Sequence, residues 1–151
     1  MTNGFKCILV PVDFSDHSDV AASYAAWFAK QTQGDVHMVH VIANPADELY
    51  APAEAPYWMM VEHAEAKARE MMEANASRCM PPGCSWRTYV AVGDPYEHIM
   101  KAARTLHADL IVMSTRGRTG IAHLVMGSVA EKVVRHSACP VLIVPRAVEA
   151  S

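Results

Sequence analysis

The chain has no surplus of positive charge. Its 13 Lys and Arg stand against 16 Asp and Glu, a net charge of −3. A nucleic-acid partner would call for a basic stripe or patch. The densest basic stretch, Arg116 to Arg118, is too short for a duplex but suited to a phosphate. Long apolar runs are also missing: none approaches the roughly 18 to 20 residues of a membrane span. The first apolar stretch, Cys7 to Val12, is about a strand long and is broken by Pro11, so no secretory signal is expected. Cysteines are few, at 7, 79, 84 and 139, and their spacing matches no zinc template. They read as reduced thiols of a cytoplasmic protein. Cys79 and Cys84 flank a Met-Pro-Pro-Gly turn, so they stand either as incidental thiols or as a pair that could bridge under oxidation.

What is present is enough apolar material for one core. The chain has 151 residues, 52% of them hydrophobic and 19% charged. That length suits one domain, 1–151, and that composition excludes disorder. No internal repeat or linker divides it.

Short apolar runs alternate with longer helical patterns. Ile8 to Val12 is continuously apolar and reads as a strand buried on both faces. Ser15 and Asp16 are cap residues for a helix with Val20, Ala21, Tyr24, Ala25 and Phe28 at helical spacing, ended by Gly34. Val36 to Ile42 is the second strand. The segment 44–57 carries Pro45, Pro52 and Pro56 and reads as a loop with little regular structure; loops of that length are usually functional or mobile. Trp58 to Cys79 is a long helix, and its methionines suit adaptable packing. Ser85 to Val92 is a third strand. Asp94, Pro95 and Glu97 make a strong helix start. Asp109 to Met113, Gly127 to His136 and Val141 to Val144 complete the series as strand, helix and strand. Such alternation implies an α/β fold with a parallel sheet, right-handed crossovers and helices on both faces. In these sheets a ligand binds beyond the carboxyl ends of the strands, where strand order reverses.

The segment with most chemical content is Ser114-Thr115-Arg116-Gly117-Arg118-Thr119-Gly120, followed after six residues by Gly127-Ser128. It lies between a buried strand and a helix. Glycines let backbone amides turn inward around an anion, and a helix start favours phosphate. The same residues admit a plainer role: Ser128 and Glu131 form a capping-box pair, and Gly117 and Gly120 could only shape a turn. No Lys follows a Gly-x-x-x-x-Gly, and no Gly-rich turn follows the first strand, so neither a P-loop nor a dinucleotide fingerprint is present. Asp13, just past the first strand, is placed either to meet a ligand or to cap the following turn. His37 and His40 are three apart on a strand, so they point to opposite faces and cannot share a metal. His63 and His98 lack a second ligand at helical spacing. His123 lies in the loop near the proposed phosphates.

These motifs resemble the universal stress protein family. Gly117, nine residues, then Gly127-Ser128 fit the second half of the family's Gly-x2-Gly-x9-Gly-Ser/Thr pattern, with Ser114 in place of the first glycine. The run Gly-Ser-Val-Ala-Glu-Lys-Val-Val-Arg, the closing Cys-Pro-Val-Leu-Ile-Val-Pro, the opening Ile-Leu-Val-Pro-Val-Asp-Phe-Ser, His40-Val41 and Gly93-Asp94-Pro95 extend the likeness over essentially the whole chain. The resemblance implies an open five-stranded parallel sheet ordered 3-2-1-4-5, of the adenine nucleotide α-hydrolase-like type, with ATP across strands one and four. It implies that Pro11, Val12 and Asp13 line an adenine pocket, Asp13 facing the base edge, and that Val41 covers the base. It implies that Ser114, Gly117, Gly127, Ser128 and Val129 hold ribose and phosphates; the loop's own Arg116 and Arg118 add charge. Mg²⁺ would be held mainly by the phosphates.

The expected function is therefore an ATP-binding regulatory protein of the stress response. Two alternatives stand beside it: a slow ATPase or phosphotransferase, and a nucleotide-free dimeric interaction module. The resemblance also implies a homodimer, and Val141 to Val144 is apolar enough that an open edge there needs cover or a partner strand.

Overall fold

The computed structural model describes residues 4–52, 54–115 and 126–145. Nine elements follow in strict alternation: β1 (Cys7–Pro11), α1 (Asp16–Thr32), β2 (Asp35–Ile42), α2 (Tyr57–Cys79), β3 (Ser85–Val92), α3 (Pro95–Thr105), β4 (Leu110–Ser114), α4 (Ser128–His136) and β5 (Val141–Val144). The strands form one parallel sheet in the order β3-β2-β1-β4-β5. Strand order reverses between β1 and β4, both central and both fully buried in their middle residues.

Side-chain alternation sorts the core into two layers. Ile8, Val10, Val36, Met38, Leu110 and Val112 point to one face, where α1 and α2 pack. Leu9, Val39, Ile111 and Met113 point to the other, under Ile99 and Met100 of α3 and Ala130 and Val133 of α4. Each fully buried aliphatic side chain of this kind contributes about 1.5–3 kcal/mol. The inner face of α1 is built almost wholly of alanine, at 21, 22, 25, 26 and 29. With no long side chains between them, helix backbone and sheet lie close together.

Local chemistry explains most of the boundaries. Ser15 caps α1, its hydroxyl accepting from the Ser18 amide. Asp94 caps α3 by accepting from the Glu97 amide at 2.9 Å, and Pro95 takes the first helical position. Gly34 does not itself end α1. Gln33 does, in the left-handed conformation, and Gly34 is required because a Cβ there would stand 2.4 Å from the Phe5 carbonyl oxygen. The segment before α2 is also more organised than its prolines suggest. Asn44 and Asp47 accept from the Ala46 and Leu49 amides, and Tyr50 and Ala51 donate back to the Asp47 carbonyl, so consecutive turns replace open coil.

All four cysteines are free thiols. Burial, then the neighbouring Asp19 and Asp35 charges, pushes the thiols of Cys79 and Cys84 up, away from the reactive thiolate. Among the described residues no helix is long and apolar enough to cross a membrane.

Candidate functional site

A cleft of about 290 Å³ opens at the carboxyl ends of β1 and β4, where strand order reverses. One wall comes from the end of β1, with Pro11, Val12 and Asp13; another from β2, with His40 and Val41; the third from the end of β4 and the start of α4, with Ser114, Thr115, Gly127, Ser128 and Val129. Eight of the ten residues singled out from the sequence thus surround one space. Gly117 and Arg118 lie outside the described residues, as does His123. Pro95, Ile99 and Met113 supply apolar lining that the motifs alone did not indicate, although Ile99 sits on the buried stripe of its helix.

Register explains what the β2 wall offers. The Val12 amide donates to the Val39 carbonyl at 2.8 Å, and the Gly93 amide to the Ile42 carbonyl at 3.0 Å. Odd-numbered residues of β2 therefore direct their backbone groups toward β1, and even-numbered ones toward β3. The ladder with β1 ends at Pro11 opposite Val39. Val41 is the next residue facing that side, with no strand opposite, so its N–H and C=O present a donor–acceptor pair to the cleft.

The turn after β1 is held by side chains. One carboxylate oxygen of Asp13 accepts from the Ser15 amide at 2.9 Å and from its hydroxyl at 2.5 Å. Between them Phe14 takes φ of 66°, a left-handed conformation that a bulky residue rarely holds. Asp13 therefore does shape the turn, as one sequence reading had it. It also lines the cleft, and its other carboxylate oxygen makes no hydrogen bond among the described residues.

The start of α4 differs from the capping-box expectation. Gly127, not Ser128, is the N-cap, and it has no side chain with which to cap. Glu131 turns away and pairs with Arg135 at 2.7 Å. The Glu131 amide is the first to close onto the helix, through the Gly127 carbonyl at 2.9 Å. The amides of Ser128, Val129 and Ala130 precede it and have no intrahelical partner. All three of these residues line the cleft. The Gly127 amide is itself committed to the Thr115 carbonyl at 2.7 Å, which pins the end of β4 to the start of α4. A helix start in this state concentrates partial positive charge and open donors on one wall.

No group of three or more His, Cys, Asp or Glu able to hold a metal occurs among the described residues. His37 and His40 do point to opposite faces: His37 meets the Tyr89 hydroxyl at 2.9 Å, while His40 bonds the Val12 carbonyl and the Tyr50 hydroxyl. His40 carried no assigned role in the sequence beyond the His-Val pair. Only the fold shows that it borders the cleft.

Comparison with known proteins agrees with this fold. The sequence model of the universal stress protein family matches residues 4–145. Universal stress protein MJ0531 of Methanocaldococcus jannaschii is 33% identical over 95% of this chain and 84% of its own length. The solved structure of MJ0577, a universal stress protein of the same organism, is 28% identical, covers 97% of this chain and 98% of its own, and superposes with a TM-score of 0.80. A universal stress protein solved in complex with cAMP is 25% identical over 93% of this chain and 97% of its own, with a TM-score of 0.59.

Proposed function

This chain belongs to the universal stress protein family, and from that premise we propose that it is a regulatory protein of the stress response that binds ATP in the cleft between β1 and β4. The observation that carries the reading is the uncapped start of α4, whose first three amides stand without intrahelical partners at the wall facing Asp13 and Val41. The two sides ask for different chemistry. The apolar β1–β2 wall, with the Val41 backbone pair and the Asp13 carboxylate, suits a flat base bearing adjacent donor and acceptor groups, as the Watson–Crick edge of adenine does. The α4 wall suits phosphate. Ser114 stands at the end of β4 beside that wall, and its small hydroxyl replaces one backbone approach with a side-chain donor. Gly117 and Arg118, outside the described residues, would add phosphate contacts, and Mg²⁺ would be held mainly by the phosphates. A relative bound to cAMP supports an adenine nucleotide as the ligand class.

The proposal extends to the assembly and its location. β5 pairs only with β4 among the described strands, which leaves the far edge of Val141–Val144 open. We read it as the seam of a homodimer with two β5 strands antiparallel across a two-fold axis. Free thiols at all four cysteines suit the cytoplasm.

Titration calorimetry tests the ligand. ATP should bind one per chain, with adenosine weaker by about tenfold, roughly 1.4 kcal/mol. That advantage should shrink as salt rises, because much of it is electrostatic. No heat with ATP at saturating concentration, in protein first heated to release any resident nucleotide and refolded, would overturn the assignment.

A further inference from the structure

Two buried polar side chains lie beside the cleft with no part in the reading above. His40 and Tyr50 are each about 1% exposed. Nδ1 of His40 stands 2.7 Å from the Val12 carbonyl, and Nε2 meets the Tyr50 hydroxyl. A carbonyl can only accept, so Nδ1 carries the proton; in the neutral ring Nε2 then accepts from Tyr50. The imidazole also packs on the Phe14 ring, with centroids 4.4 Å apart. It therefore touches both residues that flank Asp13, Val12 and Phe14, in the turn forming the cleft wall.

Tyr50 belongs to a different unit. It sits in the turn-rich segment between β2 and α2, and its ring is wedged among Ile42 of β2 and Ala64 and Ala68 of α2. The cleft opens beyond the strand ends on the α3–α4 side of the sheet, where Val39, Ile99, Met113 and Ala130 of its lining pack together. The side chains of His40 and Tyr50 lie on the opposite, α2 face, and the His40 ring reaches back to the cleft wall at Val12. The segment they hold leads directly into Tyr57, Trp58 and Met59, three consecutive large apolar side chains that are 68%, 61% and 43% exposed.

We propose that His40 and Tyr50 are positioning residues forming a tether that couples occupancy of the cleft to the docking of residues 44–52 and the start of α2. The tether fixes the Val12 carbonyl and, through Phe14, the left-handed turn that presents Asp13. A ligand that needs this wall in its ordered form also stabilises the docked segment, and linkage makes the effect reciprocal. The coupling to ATP rests on the function proposed above; the tether itself does not.

Two substitutions separate these statements. Tyr50→Phe keeps the wedged ring and removes only the hydroxyl. His40→Asn keeps an N–H donor near the Nδ1 position for Val12 but is too short to reach Tyr50. Hydrogen exchange of ligand-free protein should show faster exchange in both variants at residues 47–52 and also at 14–15, across the tether. In the wild type, saturating ATP should slow exchange at 47–52. Both variants should lose that slowing and bind ATP about tenfold more weakly, within the usual range for coupled sites. Unchanged exchange at 14–15 in both ligand-free variants would overturn the tether. Wild-type ATP affinity, with ligand-dependent protection of 47–52 retained, would overturn the coupling. A wild type that binds no ATP would sink the proposed function and the coupling with it, while the ligand-free comparison still decides the tether.

Discussion

Replacing Asp13 separates the two roles that its position allows. In Asp13→Ala, one carboxylate oxygen that accepts from the Ser15 amide at 2.9 Å and hydroxyl at 2.5 Å is lost. A hydrogen bond to a charged acceptor is worth about 1.5–3 kcal/mol when buried, and less in a half-buried turn. The left-handed Phe14, φ 66°, loses the bridge that spans it, and such a residue stores on the order of 1–2 kcal/mol. We expect Asp13→Ala to cost about 2 kcal/mol, a fall in melting temperature of about 4–8 °C for a chain of this size. Asp13→Asn is the informative partner. Its amide oxygen accepts both bonds, so the turn survives and stability should change by less than about 0.5 kcal/mol. What vanishes is the negative charge on the cleft wall, and under the proposed function ATP affinity should drop by about tenfold, roughly 1.4 kcal/mol. Thermal denaturation and calorimetry on the same two proteins give the answer. An Asp13→Asn protein that binds ATP as the wild type does would confine Asp13 to the turn.

Two further outcomes are expected. Burial lowers the pKa of His37 from its ordinary value, against a smaller opposing pull from Asp35. The unfolded chain then takes up a proton near pH 6.5 that the folded chain resists, so stability is full above that value and declines as pH falls below it. Melting temperatures from pH 7.5 to 5.5 should drop less steeply for His37→Gln than for the wild type; parallel curves would contradict the assignment. The open edge of β5 predicts a two-chain mass by sedimentation at micromolar concentration, and a one-chain mass there would remove the proposed seam.

Much of this was legible because the local signals agree with one another. The buried strands announce themselves as continuous apolar runs, and β3 and β5 fall on the residues read from the sequence, 85–92 and 141–144. The cap at Ser15 and the Asp94-Pro95 start are short-range hydrogen-bond chemistry, which needs no tertiary knowledge. The order 3-2-1-4-5 came from family resemblance, since parallel alternation alone does not fix which strands are neighbours. Local signals mislead where two of them compete. Ser128 with Glu131 satisfies the capping-box spacing, yet Gly127 takes the cap, its amide drawn to the Thr115 carbonyl, and Glu131 finds Arg135 one turn on. Gly34 looked like a helix stop, but its requirement comes from Phe5, nearly thirty residues away. The contacts of His40 were hidden for the same reason. Val12 meets it only when β1 lies beside β2, and Tyr50 only when the turns after β2 fold back on the strand. The organised turns at 44–51 could have been found: Asn44 and Asp47 each carry the signature of a side chain that bonds an amide two residues on.

The alanine face of α1 carries a consequence for how distant changes are felt. Small side chains give the helix almost no compliance: there are no long methylene arms to rotate aside when something larger arrives. A methyl-to-isobutyl change at Ala22 or Ala25 must lift the whole rod from the sheet. The rod begins at Ser15, whose hydroxyl and amide both hang on the Asp13 carboxylate, so the lift is delivered to the rim of the cleft. Bulk added on the back of the domain would thus alter ligand affinity without ever approaching the ligand, and α1 acts as a rigid lever whose short end is the turn at Asp13.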